Sequence, residues 1–160
     1  MPARVLFVCL GNICRSPTAH GVFEALVKQR GLENRIDVDS CGTGDWHTGH
    51  PPDTRAAAEA AGRGYDLSHL RARQVSAADF DQFDYILAMD RQNLADLESM
   101  RPSHFSGHLG LFLPFAGGGR YEEVPDPYYG GDNGFAEVLD MVEAASEGLL
   151  LEICGADSKS

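Results

Sequence analysis

Apolar runs alternate with stretches of helical periodicity along the chain. Residues 5–9 form a continuous apolar run, which is typical of a strand buried on both faces. Ser16 is suited to cap a helix and Pro17 to occupy its first turn, and apolar side chains at helical spacing follow as far as Gly31. Residues 35–40 then alternate polar and apolar side chains, as an exposed edge strand does.

The same alternation continues toward the C-terminus. The pattern predicts a helix from about Asp53 to Gly62, a strand at residues 85–89, a helix from Asp90 onwards and a strand at residues 109–113. A long loop from Pro114 to about Gly134 precedes a closing amphipathic helix. We therefore expect an α/β fold, a single three-layer domain over residues 1–160 with a four-stranded parallel sheet and helices on both faces.

The charge of the chain limits its partners. The 160 residues include 24 acidic and 13 basic side chains, for a net charge of −11. An acidic surface argues against nucleic-acid binding, which needs a basic face to displace counterions. An anionic substrate would have to be captured by a local positive site, because the overall field repels it.

Location and assembly are predicted from what the sequence contains. No stretch approaches the ~18 apolar residues of a membrane span, and the apolar run near the N-terminus is short for a signal peptide. The cysteines, which are Cys9, Cys14, Cys41 and Cys154, do not resemble a disulfide scaffold. We expect a cytoplasmic monomer with no membrane contact, although export without a classical signal peptide stays open.

The loop between the first strand and the first helix has the composition of an anion site. In a parallel α/β sheet, ligands bind beyond the carboxyl ends of the strands, where residues 9–15 lie. Backbone N–H groups at a helix N-terminus favour an anion, and Gly11 eases the tight backbone. Arg15 adds a planar donor fork that matches phosphate. The pattern therefore predicts a phosphate-binding loop after the first strand.

Cys9 lies at the base of this predicted loop. The same N–H groups and Arg15 would stabilise a thiolate, and a thiolate that faces phosphate is a nucleophile. Ser16 could donate a hydrogen bond to the sulfur. A nucleotide P-loop lacks its Gly-Lys-Ser/Thr here, a dinucleotide turn lacks its glycines, and a zinc site at Cys9 and Cys14 lacks two ligands. We therefore expect no metal and no other cofactor.

At this point the sequence resembles a known family, the low-molecular-weight protein tyrosine phosphatases. Residues 9–17, Cys-Leu-Gly-Asn-Ile-Cys-Arg-Ser-Pro, resemble its phosphate-binding loop, and Asp-Pro-Tyr-Tyr at 126–129 its general-acid loop. Asp-Trp-His at 45–47 resembles its specificity segment, and residues 83–90 its third strand. The resemblance spans about residues 3–155.

The resemblance implies hydrolysis of phosphotyrosine in protein substrates and of small aryl phosphates. Cys9 would be the nucleophile, Arg15 the phosphate clamp and Asp126 the general acid, which later activates water. The remaining substrate-binding residues would be Leu10, Gly11, Asn12, Ile13, Cys14, Ser16, Trp46, His47, Tyr128 and Tyr129.

Further roles are also implied by the resemblance. Trp46, Tyr128 and Tyr129 would form an aromatic rim deep enough to favour phosphotyrosine over phosphoserine, and the contribution of His47 to specificity stays open. Asn12, Ser40 and His69 would support the loop by hydrogen bonds. Cys14 would form a reversible disulfide with Cys9 after oxidation.

Three other functions compete with this interpretation. A thiol-linked arsenate reductase shares the fold but needs resolving cysteines, and residues 62–107 contain none. A protein-arginine phosphatase tends to carry threonine where this chain has Ile13. A phosphate-binding module without catalysis would not need Cys9, Arg15 and Asp126 together.

Overall fold

The computed structural model describes residues 3–117, 122–127 and 134–158, and these residues form one parallel sheet flanked by helices. The strands are β1 (Ala3–Cys9), β2 (Ile36–Gly42), β3 (Tyr85–Ala88) and β4 (His108–Leu111). The helices are α1 (Arg15–Gln29), α2 (Thr54–Gly62), α3 (Asp79–Gln82), α4 (Arg91–Met100) and α5 (Gly134–Ser158). The strand order is β2-β1-β3-β4, and every pairing is parallel. The predicted α/β architecture is therefore confirmed.

Strand β1 lies between β2 and β3 and is buried on both faces. Val5 and Phe7 pack with apolar side chains of α1 and α5 on one face of the sheet. Leu6 and Val8 pack on the other face, with side chains that include Phe80 of α3 and Leu97 of α4. This two-sided burial explains why residues 5–9 are continuously apolar, whereas β2 at the edge alternates.

Two helix starts show how local capping works in this chain. Helix α2 begins as predicted, because Asp53 accepts hydrogen bonds from the N–H groups of Arg55 (2.8 Å) and Ala56 (3.4 Å). The prediction that Ser16 caps α1 is wrong: the helix begins at Arg15, and Cys14 occupies the capping position without a side-chain hydrogen bond. The Ser16 hydroxyl points instead toward the loop, where it has other partners.

The last strand and the loop after it also differ from prediction. Strand β4 ends at Leu111, and a 3-10 helix, Leu113–Ala116, opens the segment expected to be irregular. Pro114 lies in the first turn of that helix, where its missing N–H has no structural consequence. No helix within the described residues is long and apolar enough to cross a membrane.

The sheet topology gathers several chain segments at one edge. Cys9 pairs with Gly42 at the ends of β1 and β2, and Val8 pairs with Ala88 near the end of β3. Because all strands run in one direction, the loops that follow them meet at this carboxyl edge. The loop after β1 therefore lies beside the segments that follow β2 and β3.

Phe7 gives a test of the core. Its side chain is fully buried and meets the rings of Phe23 and Phe112 edge-on, with centroid distances of 5.8 and 4.9 Å. We predict that Phe7→Ala lowers the free energy of unfolding by about 3–5 kcal/mol, because the cavity removes contacts with both rings. Denaturant titration measures the change. As a control, Leu151→Ala on the exposed face of α5 should stay within about 0.5 kcal/mol of the parent.

Candidate active site

The loop between β1 and α1 turns three of its carbonyl groups outward. Hydrogen bonds run from Thr43 N to Cys9 O (2.9 Å), from Gly44 N to Leu10 O (2.9 Å) and from Asp53 N to Ile13 O (2.8 Å). The described peptide bonds are trans, and in a trans peptide the carbonyl and the next N–H point in opposite directions. The N–H groups that follow these carbonyls are therefore turned inward, which is the arrangement that binds an anion.

Asn12 holds the loop in a conformation that ordinary residues disfavour. Its φ of 57° lies in the left-handed region, which asparagine tolerates better than most residues. Its N–H donates to Cys9 Sγ (3.2 Å), and its side-chain Oδ1 accepts from the backbone N–H of Arg73 (3.0 Å). Its Nδ2 donates to Ser16 Oγ (2.8 Å). Three hydrogen bonds thus fix the residue that shapes the loop.

Ser16 is fully buried, and its hydroxyl is directed at the Cys9 sulfur. The Ser16 Oγ lies 3.0 Å from Cys9 Sγ and 3.3 Å from Cys41 O. Because Asn12 Nδ2 already donates to this oxygen, the hydroxyl proton is available to the sulfur or to the Cys41 carbonyl. A donor at this position stabilises a thiolate at Cys9 and also a thiolate leaving group.

Gly42 at the end of β2 allows the neighbouring strand to approach the loop. A Cβ at this position would lie 2.6 Å from Leu10 O and 3.1 Å from Asn12 N. Any side chain would therefore push the loop away from β2. The absence of a side chain at Gly42 is required by this contact.

Arg15 extends from the first turn of α1 into the site, with its side chain only 4% exposed. Its Nη1 donates to Asp90 Oδ2 (2.6 Å) and to the carbonyl of Val124 (3.1 Å). Burial acts to lower the pKa of Arg15, but the nearby Cys9 and the Asp90 and Asp126 carboxylates outweigh it, so the pKa lies above its usual value. The guanidinium is therefore a permanent positive charge beside Cys9.

Asp126 reaches the same place from a distant part of the chain. Its Oδ2 lies 3.8 Å from Arg15 Nη2, and its side chain is 32% exposed. Pro125 precedes it and Pro127 follows it, and proline neighbours restrict the backbone to extended conformations. The carboxylate thus faces the cleft while it remains accessible to solvent.

These groups open into a cleft of about 390 Å³. The residues that line it are Cys9, Leu10, Gly11, Ile13, Cys14, Arg15, Trp46, His47 and Asp126. Trp46 lies at the rim with 67% of its surface exposed. The predicted rim residues Tyr128 and Tyr129 lie outside the described residues. Within the described part of the chain, no cluster of three or more His, Cys, Asp or Glu side chains could hold a metal ion.

Ser40 contacts His20, whereas the predicted supporting histidine is His69. The buried His20 on α1 lies with its Nδ1 3.0 Å from Ser40 Oγ. His69 lies at the surface, with its side chain 55% exposed, and its Nε2 is 3.6 Å from Glu24 Oε1. The prediction for His69 therefore needs correction. Helical periodicity places His20 on the buried side of α1, a signal that could have identified it.

Sequence reasoning also missed the partners of the predicted loop. Asp90 lies two residues after the end of β3, and its position at the carboxyl edge beside β1 could have suggested a contact with Arg15. No comparable feature of the sequence indicated that Arg73 contacts the loop. Its guanidinium donates to Asp39 and to the buried Asp79 (2.9–3.2 Å), and this holds the backbone N–H that bonds Asn12.

The two loop cysteines differ in environment. Burial, with the Asp53, Cys9 and Asp126 charges added, raises the pKa of the Cys14 thiol to about 12. Burial likewise raises the pKa of Cys41 well above its usual value. Cys14 and Cys41 are therefore protonated thiols at neutral pH, whereas Cys9 Sγ accepts from the Asn12 N–H and lies 3.0 Å from Ser16 Oγ.

We predict selective alkylation at pH 7.5. Iodoacetate should modify Cys9 rapidly, because its sulfur lines the cleft and has donors that favour the thiolate, while Cys14 and Cys41 stay unmodified. Peptide mapping by mass spectrometry measures the modification at each position. Inorganic phosphate should slow the reaction at Cys9 and not at Cys154 on α5. Equal rates at Cys9 and Cys14 would contradict the assignment.

Comparison with known proteins gives consistent matches over the length of the chain. The family model described as "Low molecular weight phosphotyrosine protein phosphatase" matches residues 4–159. A relative with that same description from Schizosaccharomyces pombe is 45% identical over 151 residues, which cover 94% of this chain and 96% of the relative.

Solved structures agree with this result. The crystal structure of a protein tyrosine phosphatase from Entamoeba histolytica, with Hepes in its active site, has a TM-score of 0.92 at 37% identity and covers 97% of this chain and 99% of its own. A drosophila arginine phosphatase has a TM-score of 0.87 at 34% identity, with coverage of 93% and 96%. The matched length and identity show that this chain belongs to the low molecular weight phosphotyrosine protein phosphatase family.

Proposed function

We propose that Cys9, Arg15 and Asp126 carry out the two steps of phosphate-ester hydrolysis in this protein tyrosine phosphatase. In the first step, the Cys9 thiolate forms a bond to phosphorus while the bond to the phenolic oxygen breaks. Asp126 gives its proton to the leaving phenolate. In the second step, water forms a bond to phosphorus and gives a proton to Asp126, while the bond between Cys9 Sγ and phosphorus breaks and releases inorganic phosphate and the Cys9 thiolate.

The observation that carries this proposal is the convergence of three groups on one cleft. Arg15 lies beside Cys9 and 3.8 Å from Asp126, although Asp126 is far from both in sequence. The inward N–H groups and the Arg15 guanidinium are placed to stabilise the equatorial oxygens of a phosphoryl group in transit. The hydrogen bond from the Asn12 N–H to Cys9 Sγ, and the Ser16 hydroxyl 3.0 Å from the same sulfur, suit an atom that is first nucleophile and then leaving group.

The cleft also supports an aryl phosphate as substrate. Ile13 presents an apolar side chain in the lining, and the Trp46 ring lies at the rim. A phenyl ring can pack between such groups while its phosphate reaches the loop. Phosphoserine is disfavoured, because its side chain is too short for the phosphate to reach the loop unless the peptide backbone passes the rim.

Phosphoarginine hydrolysis is the competing function that a specific observation supports. The similarity to a drosophila arginine phosphatase supports it, whereas Ile13 in the cleft wall favours a ring over a polar guanidinium. Thiol-linked arsenate reduction has weaker support, because residues 62–107 contain no cysteine that could resolve an adduct at Cys9.

The wider setting is part of the same proposal. We expect a single domain that acts as a monomer on phosphotyrosine-containing proteins in the cytoplasm. The acidic composition, with a net charge of −11, supports the expectation that nucleic acids are not partners.

We predict that the chain hydrolyses phosphotyrosine peptides faster than phosphoserine or phosphoarginine peptides, without added metal and with a reductant present. Cys9→Ser should abolish turnover, because a hydroxyl at this position is far less nucleophilic than a thiolate, while tungstate binding measured by calorimetry persists. Cys154→Ser serves as the control with unchanged rates. If phosphoarginine peptides are hydrolysed faster than phosphotyrosine peptides, the activity of this loop is phosphoarginine hydrolysis.

Asp126→Ala tests the general acid. We expect kcat/KM for phenyl phosphate to fall by about 10²–10³, because a poor leaving group needs the proton. The loss for 2,4-dinitrophenyl phosphate, whose phenolate leaves readily, should be much smaller. Steady-state rates over a series of aryl phosphates give this comparison. An equal loss across the series would exclude Asp126 as the acid.

A further inference from the structure

The segment that carries Asp126 lies against the N-terminus of helix α4. Arg91, the first residue of that helix, donates its backbone N–H to Glu123 Oε2 (2.7 Å). Its guanidinium pairs with Glu122 and also with Glu123, where Nη1 is 3.5 Å from Oε1. One residue of α4 thus binds two consecutive acidic residues upstream of Asp126 through both its backbone and its side chain.

Val124 continues this attachment toward the site. Its N–H donates to Met89 O (2.7 Å), its carbonyl accepts from Arg15 Nη1 (3.1 Å), and its side chain is fully buried. These contacts fix the position of Val124, two residues before Asp126. Val124 alone does not fix the direction of the chain on either side of it. The contacts of Arg91 with Glu122 and Glu123 provide a second point of attachment.

The same turn of α4 also holds Arg15. Asp90 caps the helix by accepting from Asn93 N (2.8 Å) with one oxygen, and it accepts from Arg15 Nη1 (2.6 Å) with the other. Adjacent residues of one helix end therefore position the phosphate clamp and the acid segment. The two attachments thus lie on either side of the 3.8 Å contact between Arg15 Nη2 and Asp126 Oδ2.

Charge gives an independent reason for a cation at this place. Glu122, Glu123 and Asp126 lie within five residues of each other, and Asp90 is close to the same segment. Carboxylates at such spacing repel one another and would compete for Arg15. Arg91 supplies a second positive charge, which offsets part of the negative charge of Glu122 and Glu123 and leaves Arg15 directed at Cys9 and the cleft.

We propose that Arg91 is a positioning residue for the general acid. It acts by holding residues 122–124 so that Asp126 stays beside Arg15, and the inference rests on the proposed role of Asp126. The side chains of Arg91 and Glu122 are each 59% exposed and that of Glu123 is 41% exposed, so dissolved salt screens their attraction. The placement of the acid is therefore sensitive to ionic strength.

The test compares Arg91→Gln with the parent enzyme over a series of aryl phosphates. We expect kcat/KM to fall about five- to tenfold for phenyl phosphate and less than about twofold for 2,4-dinitrophenyl phosphate, because only the poor leaving group needs a well-placed acid. Raising the salt concentration should reduce the phenyl phosphate rate of the parent toward that of Arg91→Gln. Arg91→Lys, which keeps the charge, should recover part of the loss.

A matched control separates this effect from the loss of any surface ion pair. Arg30 pairs with Glu147 at 3.0 Å, and the two side chains are 46% and 53% exposed, similar to those of the Arg91 pairs. Arg30→Gln should leave the dependence on leaving group unchanged. A general loss of rate in Arg91→Gln, equal for both substrates, or no loss at all would overturn the proposal.

The double variant Arg91→Gln/Asp126→Ala identifies the route of the effect. If Arg91 acts through Asp126, the double variant loses no more activity on phenyl phosphate than Asp126→Ala alone. An additive loss would show that Arg91 acts elsewhere and would overturn the proposal. If Asp126→Ala itself shows no dependence on leaving group, the acid assignment fails first, and this result is distinct from a failure confined to Arg91.

Discussion

The buried guanidinium of Arg15 is the interaction on which the rest of the site depends. A charge with 4% of its side chain exposed is costly to bury unless charged and polar partners surround it. Its partners come from separate segments, namely Asp90 at the start of α4 and Val124 and Asp126 in the later loop. Satisfying this one cation therefore draws distant parts of the chain to the carboxyl edge of the sheet, next to Cys9.

A second constraint acts on the loop backbone. The inward orientation of its N–H groups requires the carbonyls to be bonded outside, and the residues after β2 supply two of those bonds from Thr43 and Gly44. Asn12 holds the left-handed turn, and it is held in turn by the backbone of Arg73. The arrangement is preorganised, because Arg15, Asn12 and three carbonyls of the loop already have their supporting hydrogen bonds in place.

The fold was largely predictable because its signals are local. The continuous apolar run of β1 and the alternation of β2 reflect their central and edge positions, and α2 begins close to Asp53, where the sequence indicated. Predictions failed where a side chain has a tertiary partner that competes with a local one. Serine is a favoured helix-capping residue, but the Ser16 hydroxyl contacts Cys9, Asn12 and Cys41 in the buried loop. It is therefore not available to the backbone N–H groups at the start of α1.

The sequence by itself determined the strands, most helices, the anion-binding composition of residues 9–15 and the chemical identity of Cys9, Arg15 and Asp126 as candidates. The strands, the helices, Cys9 and Arg15 follow from residue type and short-range spacing, whereas Asp126 follows from the resemblance of residues 126–129 to the general-acid loop of the phosphatase family. Only the tertiary structure decided that the start of α4 lies beside the acid segment, that His20 contacts Ser40 while His69 lies at the surface, and that Gly42 must lack a side chain. The physical reason is that these contacts join residues far apart in sequence, whose distances are set by strand order and helix packing.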